Sequence, residues 1–167
     1  MMENQIEILL VEDDSDDLEL TMRSLGGDPF STRIHVARDG EEALDFLFCR
    51  GPHTSRDREC RPKLVLLDLK LPKVDGLEVL KQIKADPRTK ALPVVILTSS
   101  KQEQDLVESY RSGANSYVQK PVDFEQFRAT LRQIGHYWMM LNEPPPELAL
   151  LGGASFGGSH DAVGPRG

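Results

Sequence analysis

The chain has 167 residues, enough for one ordinary domain with a sizeable core, and its 39% hydrophobic and 28% charged content is that of a globular protein. A formal net charge of −7 argues against a nucleic-acid binder, since phosphate contact wants a basic face. No apolar run approaches the roughly 20 residues needed to cross a bilayer, and Met1-Met2-Glu3-Asn4-Gln5 lacks the basic region of a signal peptide, so a cytoplasmic location without nucleic-acid or membrane partners is expected.

Ile6 to Val11 reads as a buried strand that ends in Glu12-Asp13-Asp14, with Ser15 a candidate N-cap for the helix that follows. Leu18, Thr21, Met22 and Leu25 fall at helical spacing, and Gly26-Gly27 stops that helix. Arg33 to Ala37 is a short strand with Ile34 and Val36 on one face. Asp39-Gly40 then turns the chain into a helix carrying Ala43, Leu44, Leu47 and Phe48. Residues 50–62 are polar and broken by Pro and Gly, which predicts a surface loop longer than the fold requires. Cys49 and Cys60 flank it and read as free thiols, with a loop-closing disulfide the lesser alternative.

Leu64 to Leu67 is a continuous apolar run with no alternation, the pattern of a strand buried on both faces. It ends at Asp68, after which Pro72 and Asp75-Gly76 turn the chain into the amphipathic segment Leu77, Val79, Leu80, Ile83. Pro93 to Leu97 is a fourth strand, ending at Thr98-Ser99-Ser100. The spacing predicts a helix from about Lys101 to Ser112 with Leu106, Val107 and Tyr110 facing inward and Gly113 as its stop. Ser116 to Gln119 is a fifth, short strand ending at Lys120-Pro121, and a last helix runs from Asp123 to Leu141. Five strand–helix units fit an α/β fold, a doubly wound parallel sheet with helices on both faces. Residues 1–142 form the domain, and the Pro/Gly-rich stretch 143–167 is expected to be disordered.

In a parallel sheet all strand carboxyl ends lie along one edge, so Glu12, Asp13, Asp68, Thr98 and Lys120 converge on one crevice. Three carboxylates crowded there are tolerable around a hard divalent cation, and magnesium suits such an oxygen-only site. Lys120 can pair with phosphoryl oxygens and the Thr98 hydroxyl can donate to another. The chemistry this set supports is in-line transfer of a phosphoryl group to the Asp68 carboxylate, giving a labile acyl phosphate.

The runs Ile-Leu-Leu-Val-Glu-Asp-Asp, Leu-Val-Leu-Leu-Asp-Leu-Lys-Leu-Pro-Lys-Val-Asp-Gly, Val-Val-Ile-Leu-Thr-Ser-Ser and Ser-Tyr-Val-Gln-Lys-Pro-Val together resemble the receiver domain of two-component response regulators, over about residues 5–141. That resemblance implies a flavodoxin-like receiver fold and a protein that is not an enzyme beyond its own phosphotransfer and dephosphorylation. It makes Asp68 the phosphoacceptor, Asp13 a direct magnesium ligand with Glu12 in the outer shell, and the backbone carbonyl of Lys70 a further ligand. It also makes Thr98 and Tyr117 the switch pair, Lys120 the conserved-type lysine, and Pro121 the proline after a cis peptide. The Tyr137-Trp138-Met139-Met140 ending and the long loop resemble regulators of the cyanobacterial phytochrome-partner type, which implies a sensor histidine kinase, phytochrome-linked or hybrid, as phosphoryl donor.

Three rival readings fit less well. An aspartyl-phosphate phosphatase wants an acid two residues past its nucleophile, where Lys70 stands. A nucleotide-binding domain wants a Gly-rich loop after its first strand, where Glu12-Asp13-Asp14 stands. A pseudo-receiver, an interaction module without the chemistry, would not need the full residue set. Finally, Phe127, Leu131, Ile134, Trp138 and Leu141 recur as a heptad seam, with Phe124 one turn earlier. Phe127, Leu131 and Ile134 are expected to pack on the domain's own sheet. The end of this helix of about 28 Å, from Tyr137 to Leu141, overshoots a short sheet and is expected to build a homodimer, with the kinase as the alternative occupant of that patch.

Overall fold

The computed structural model describes residues 6–26, 33–58 and 60–145, so all but the start of the expected tail lies outside the described residues. Five strands, β1 (Ile8–Val11), β2 (Ile34–Ala37), β3 (Leu64–Leu67), β4 (Val94–Thr98) and β5 (Ser116–Gln119), form one sheet in the order β2-β1-β3-β4-β5. Every pairing is parallel, with Ile8 opposite both Ile34 and Leu64, and Thr98 opposite Gln119. The three inner strands are buried throughout, as their unbroken apolar runs require, while the edge strands β2 and β5 are only partly covered.

The helices are α1 (Ser15–Gly26), α2 (Gly40–Leu47), α3 (Gly76–Ala85), α4 (Glu103–Arg111) and α5 (Phe124–His136). Alternate strand residues feed two separate cores, because successive side chains point to opposite faces. Leu9, Val11, Val65, Leu67, Val94 and Ile96 pack against α2 and α3. Ile8, Leu10, Leu64, Leu66, Val95 and Leu97 pack against α1 and α5. This is the doubly wound arrangement the alternating pattern implies. On the first face Lys84 at the end of α3 donates to the carbonyl of Leu92 (2.7 Å) and to Asn115 Oδ1 (3.0 Å), and Asn115 also accepts the Val94 N–H (2.8 Å). That clamp sets β4 and the start of β5 against α3.

Several local expectations are corrected. The N-cap of α1 is Asp14 and not Ser15: its Oδ1 accepts the N–H groups of Asp16 (3.0 Å) and Asp17 (2.9 Å), and Ser15 is already helical. Leu106, Val107 and Tyr110 do not face inward but are 37%, 38% and 51% exposed, and the buried residue of α4 is Ser109. The last α-helix ends at His136, and Tyr137–Leu141 form a wider π turn closed by the Asn142 N–H on the Tyr137 carbonyl (2.7 Å). That change of pitch breaks the heptad phase. Phe127, Leu131 and Ile134 are buried in the domain's own core, Trp138 and Met139 pack partly against it, and Leu141 is exposed. Phe124 is exposed as well, because Asp123 caps the helix there and places it before the first inward turn.

The stretch 50–62 is largely exposed, as its polarity predicts, but it is pinned to the domain at Arg56 and Arg61. Gly51–His53 form a 3-10 turn, the Arg56 guanidinium stacks 3.5 Å over the Phe46 ring, and the buried Arg61 donates to the Leu47 carbonyl. Arginines thus satisfy carbonyls at the end of α2 that the helix leaves open. Cys49 is a buried free thiol and Cys60 an exposed one.

Candidate functional site

The parallel register carries the strand-end residues to one edge of the sheet. Glu12, Asp68 and Lys120 each follow their strand's last residue, and Thr98 is the last residue of β4. All four are nearly enclosed, at 3%, 7%, 9% and 1% exposure, which for the three charged ones is unusual unless they are paired. Here they are. Lys120 Nζ lies 2.6 Å from Glu12 Oε2, 2.8 Å from Asp17 Oδ2 and 3.0 Å from Asp68 Oδ2.

Local structure holds each carboxylate. Glu12 Oε1 accepts the Asp14 N–H (3.0 Å), leaving its other oxygen for Lys120. Asp68 Oδ1 accepts the Leu69 N–H (2.7 Å). The loop after β3 folds back tightly, since the Gly76 N–H reaches the Leu69 carbonyl (2.8 Å). A Cβ on Gly76 would sit 2.1 Å from the Asp68 carbonyl oxygen, so this glycine is required for close approach beside the acid. Asp13 is exposed, and one oxygen from each of Glu12, Asp13 and Asp68 lies within 4.8 Å of the others. The carboxylates open on a cleft of about 560 Å³ bordered by Asp14, Asp16, Lys70 and Ser99.

The electrostatics follow from burial and pairing. Burial raises Glu12 from 4.5 to about 7 and outweighs the opposing pull of Lys120. Burial disfavours the Lys120 charge too, but the hydrogen bonds to Asp17 and Glu12 and the charge of Asp68 overcome it, and its pKa is raised. The donor set is all oxygen, partly exposed through Asp13, and carries more negative charge than one ammonium balances. It fits a hard divalent cation.

At the end of β4 the Thr98 hydroxyl accepts the Ser100 N–H (3.3 Å). Tyr117, half-buried, donates from its hydroxyl to the Ser100 carbonyl (3.4 Å), and the Ser100 hydroxyl donates to Asp105 on α4. Thus one residue connects Thr98, Tyr117 and α4. Ser100, Asp105 and Asp17 were not singled out in the sequence. Asp17 was detectable in principle, since it falls one turn after the Glu12-Asp13 pair on a helix that starts beside it. The dimer-seam residues lie elsewhere, along α5 and the π turn.

Comparison with known proteins bears on the family and the fold. The family model described as the response regulator receiver domain matches residues 8–132. Probable methanogenesis regulatory protein FilR2 of Methanothrix harundinacea is 46% identical over 138 residues, covering 83% of this chain and 86% of its own. Response regulator Rcp1 of Synechocystis sp. is 38% identical over 132 residues, covering 79% and 88%. The crystal structure of the Mn2+-bound form of Rcp1 matches with a TM-score of 0.78 at 37% identity, covering 83% of this chain and 98% of the other. That of the phosphorylated cyanobacterial phytochrome response regulator RcpA matches with a TM-score of 0.80 at 36% identity, covering 85% and 99%.

Proposed function

The chain belongs to the response regulator receiver-domain family, and we propose that within it the chain takes a phosphoryl group on Asp68 from the phosphohistidine of a sensor histidine kinase, in two-component phosphorelay signalling. The observation that carries this reading is the position of Lys120, 3.0 Å from Asp68 Oδ2 in an enclosed acidic cluster. The structural likeness to the cyanobacterial phytochrome response regulator RcpA supports a phytochrome-linked kinase as donor.

In this mechanism Asp68, Asp13 and the Lys70 carbonyl would hold magnesium, with Glu12 in its outer shell. Magnesium when bound neutralises phosphoryl oxygens and lets a dianion approach a carboxylate. The Asp68 oxygen attacks phosphorus in line, the P–N bond of the donor breaks, and its electron pair returns to the imidazole nitrogen, which takes up a proton. Lys120 shifts from Asp68 to a phosphoryl oxygen while keeping Glu12 and Asp17 as anchors. Thr98 turns its hydroxyl to another phosphoryl oxygen and releases the Ser100 N–H. Tyr117, bonded to the same residue, then rotates toward the space beside Thr98, and the surface of α4 and β5 changes shape. Homodimerisation in this reading uses the exposed Tyr137, Met140 and Leu141 of the π turn.

Incubation with acetyl phosphate and magnesium tests the assignment. One phosphoryl adduct is expected, prevented by EDTA and absent in Asp68→Asn, and an undiminished adduct in that variant refutes it. Sedimentation of wild type and Leu141→Glu tests the dimer, which a monomeric wild type in both phosphorylation states refutes.

A further inference from the structure

A second cluster of metal-ligating side chains lies on β2, α2 and the 3-10 turn, with β1 between it and the strand that leads to Asp68. Ile34 and Val36 of β2 pack toward the α1 and α5 core, so His35 between them points to the α2 face. Its ring stacks on Phe46 of α2 with centroids 4.0 Å apart and planes 12° from parallel. His53, on the 3-10 turn, meets the His35 ring edge-on at 5.2 Å. Glu42, in the first turn of α2, brings Oε1 to 4.0 Å from His35 Nε2. Its other oxygen, Oε2, accepts the Arg38 N–H at 3.1 Å, which fixes the carboxylate and leaves Oε1 aimed at the imidazole. One donor atom from each of His35, Glu42 and His53 lies within 4.8 Å of the other two.

His35 Nε2 supplies an independent observation. It is buried and has no hydrogen-bond partner. Buried polar atoms are almost always satisfied, so an orphaned ring nitrogen facing a carboxylate and a second imidazole points to a ligand between them. The open side of the cluster is acidic: Asp39, Glu41 and Asp45 border the cleft that His53 lines, against the single cation Lys73 there.

We propose that His35, Glu42 and His53 form a second cation site, which takes a divalent transition ion of the zinc class and leaves a coordination position for water. Two imidazoles and one carboxylate are the donor set of such an ion, whereas magnesium prefers oxygen donors and keeps its water shell. Tetrahedral bonds of about 2.0–2.1 Å put donor atoms roughly 3.3–3.4 Å apart, so the His35–Glu42 gap closes by roughly 0.6 Å on binding. Side-chain rotation of Glu42 and a shift of the short 51–53 turn supply that movement. The bound ion clips the 50–62 stretch to β2 and α2. It is independent of phosphoryl transfer at Asp68.

The test is calorimetric titration of zinc into the full chain, with the acidic cluster saturated by excess magnesium. One zinc equivalent is expected, weakened at least tenfold in Glu42→Gln and in His53→Gln, each about the minimum loss for disturbing a metal's ligand shell. Glu42→Gln keeps an oxygen for the Arg38 N–H and therefore the local fold, which circular dichroism verifies. His136→Gln and His160→Gln are expected to bind zinc as the wild type does. Cobalt in place of zinc is expected to show visible bands without a thiolate charge-transfer band. Absence of zinc binding, equal binding in wild type and both ligand variants, competition by magnesium, loss in His136→Gln or His160→Gln, or a thiolate band from Cys49 or Cys60 each overturns the site.

Discussion

Helices α4 and α5 flank the same edge strand, β5, and both carry an apolar stripe at helical spacing, yet they use it in opposite ways. In α5 the stripe Phe127, Leu131, Ile134 is buried in the core shared with α1. In α4 the residues Leu106, Val107 and Tyr110 are exposed, and the better-covered positions are Asp105, Ser109 and Ser112. Periodicity therefore reports that a helix has two faces without saying which one the sheet receives. The neighbour decides. Beneath α5 lie Leu10, Leu66 and Leu97, whereas α4 follows the polar end of β4, where Ser100 donates its hydroxyl to Asp105 and accepts the Gln102 N–H (3.2 Å). A helix held by hydrogen bonds at the polar end of a strand changes position at lower free-energy cost than one held by burial.

The comparison is broken or sharpened most strongly by truncating the buried stripe. Leu131→Ala is expected to lower unfolding stability by about 2–5 kcal/mol in urea titrations, the usual range for a fully buried leucine. A loss under about 1 kcal/mol would mean that α5 is no better anchored than α4. Next in size, Asp105→Ala removes the acceptor of the Ser100 hydroxyl and is expected to cost about 1 kcal/mol. Amide exchange across α4 should quicken in that variant while α5 keeps its rate. Ser109 is wholly buried with its hydroxyl unpartnered, so Ser109→Ala is expected to be neutral or stabilising by up to about 1 kcal/mol. Measurable destabilisation there would show that the polar inward face of α4 is satisfied in solution. The smallest effect belongs to Leu106→Ser and Tyr110→Ser, each expected within about 0.5 kcal/mol of wild type by thermal denaturation.

The strands were legible because Leu64–Leu67 and Val94–Leu97 are apolar without interruption, which only burial on both faces accommodates. From parallel strands the meeting of Glu12, Asp68, Thr98 and Lys120 follows geometrically, as all strand ends share one edge. What the sequence left open depends on contacts between distant segments. Ser15 and Asp14 are both good N-caps, and only the backbone path out of β1 selects Asp14. Nothing in Tyr137-Trp138-Met139-Met140-Leu141 announces a π turn, because five large residues suit either pitch. Arg61 reads as a surface charge until the open carbonyl of Leu47 is placed beside it. Asp17 stands one turn past the Glu12-Asp13 pair in the sequence, but its meeting with Lys120 depends on how α1 lies against β5.

The strand order has a consequence for synthesis on the ribosome. β1 is the second strand of the sheet in space but the first to emerge, and it pairs with β2 on one side and β3 on the other. Once Ile34–Ala37 has emerged, β1 still presents an apolar, unpaired edge until Leu64–Leu67 follows. At about 5–20 residues per second that interval lasts roughly 1.5 to 6 s. Residues 50–62 fall inside it, so every residue inserted there prolongs exposure of the edge, although loop-closure entropy in the finished fold rises only logarithmically. An insertion at this point therefore burdens the nascent chain more than the folded protein, and its tolerance is set by how long Ile8–Val11 can stay unpaired without meeting a second chain.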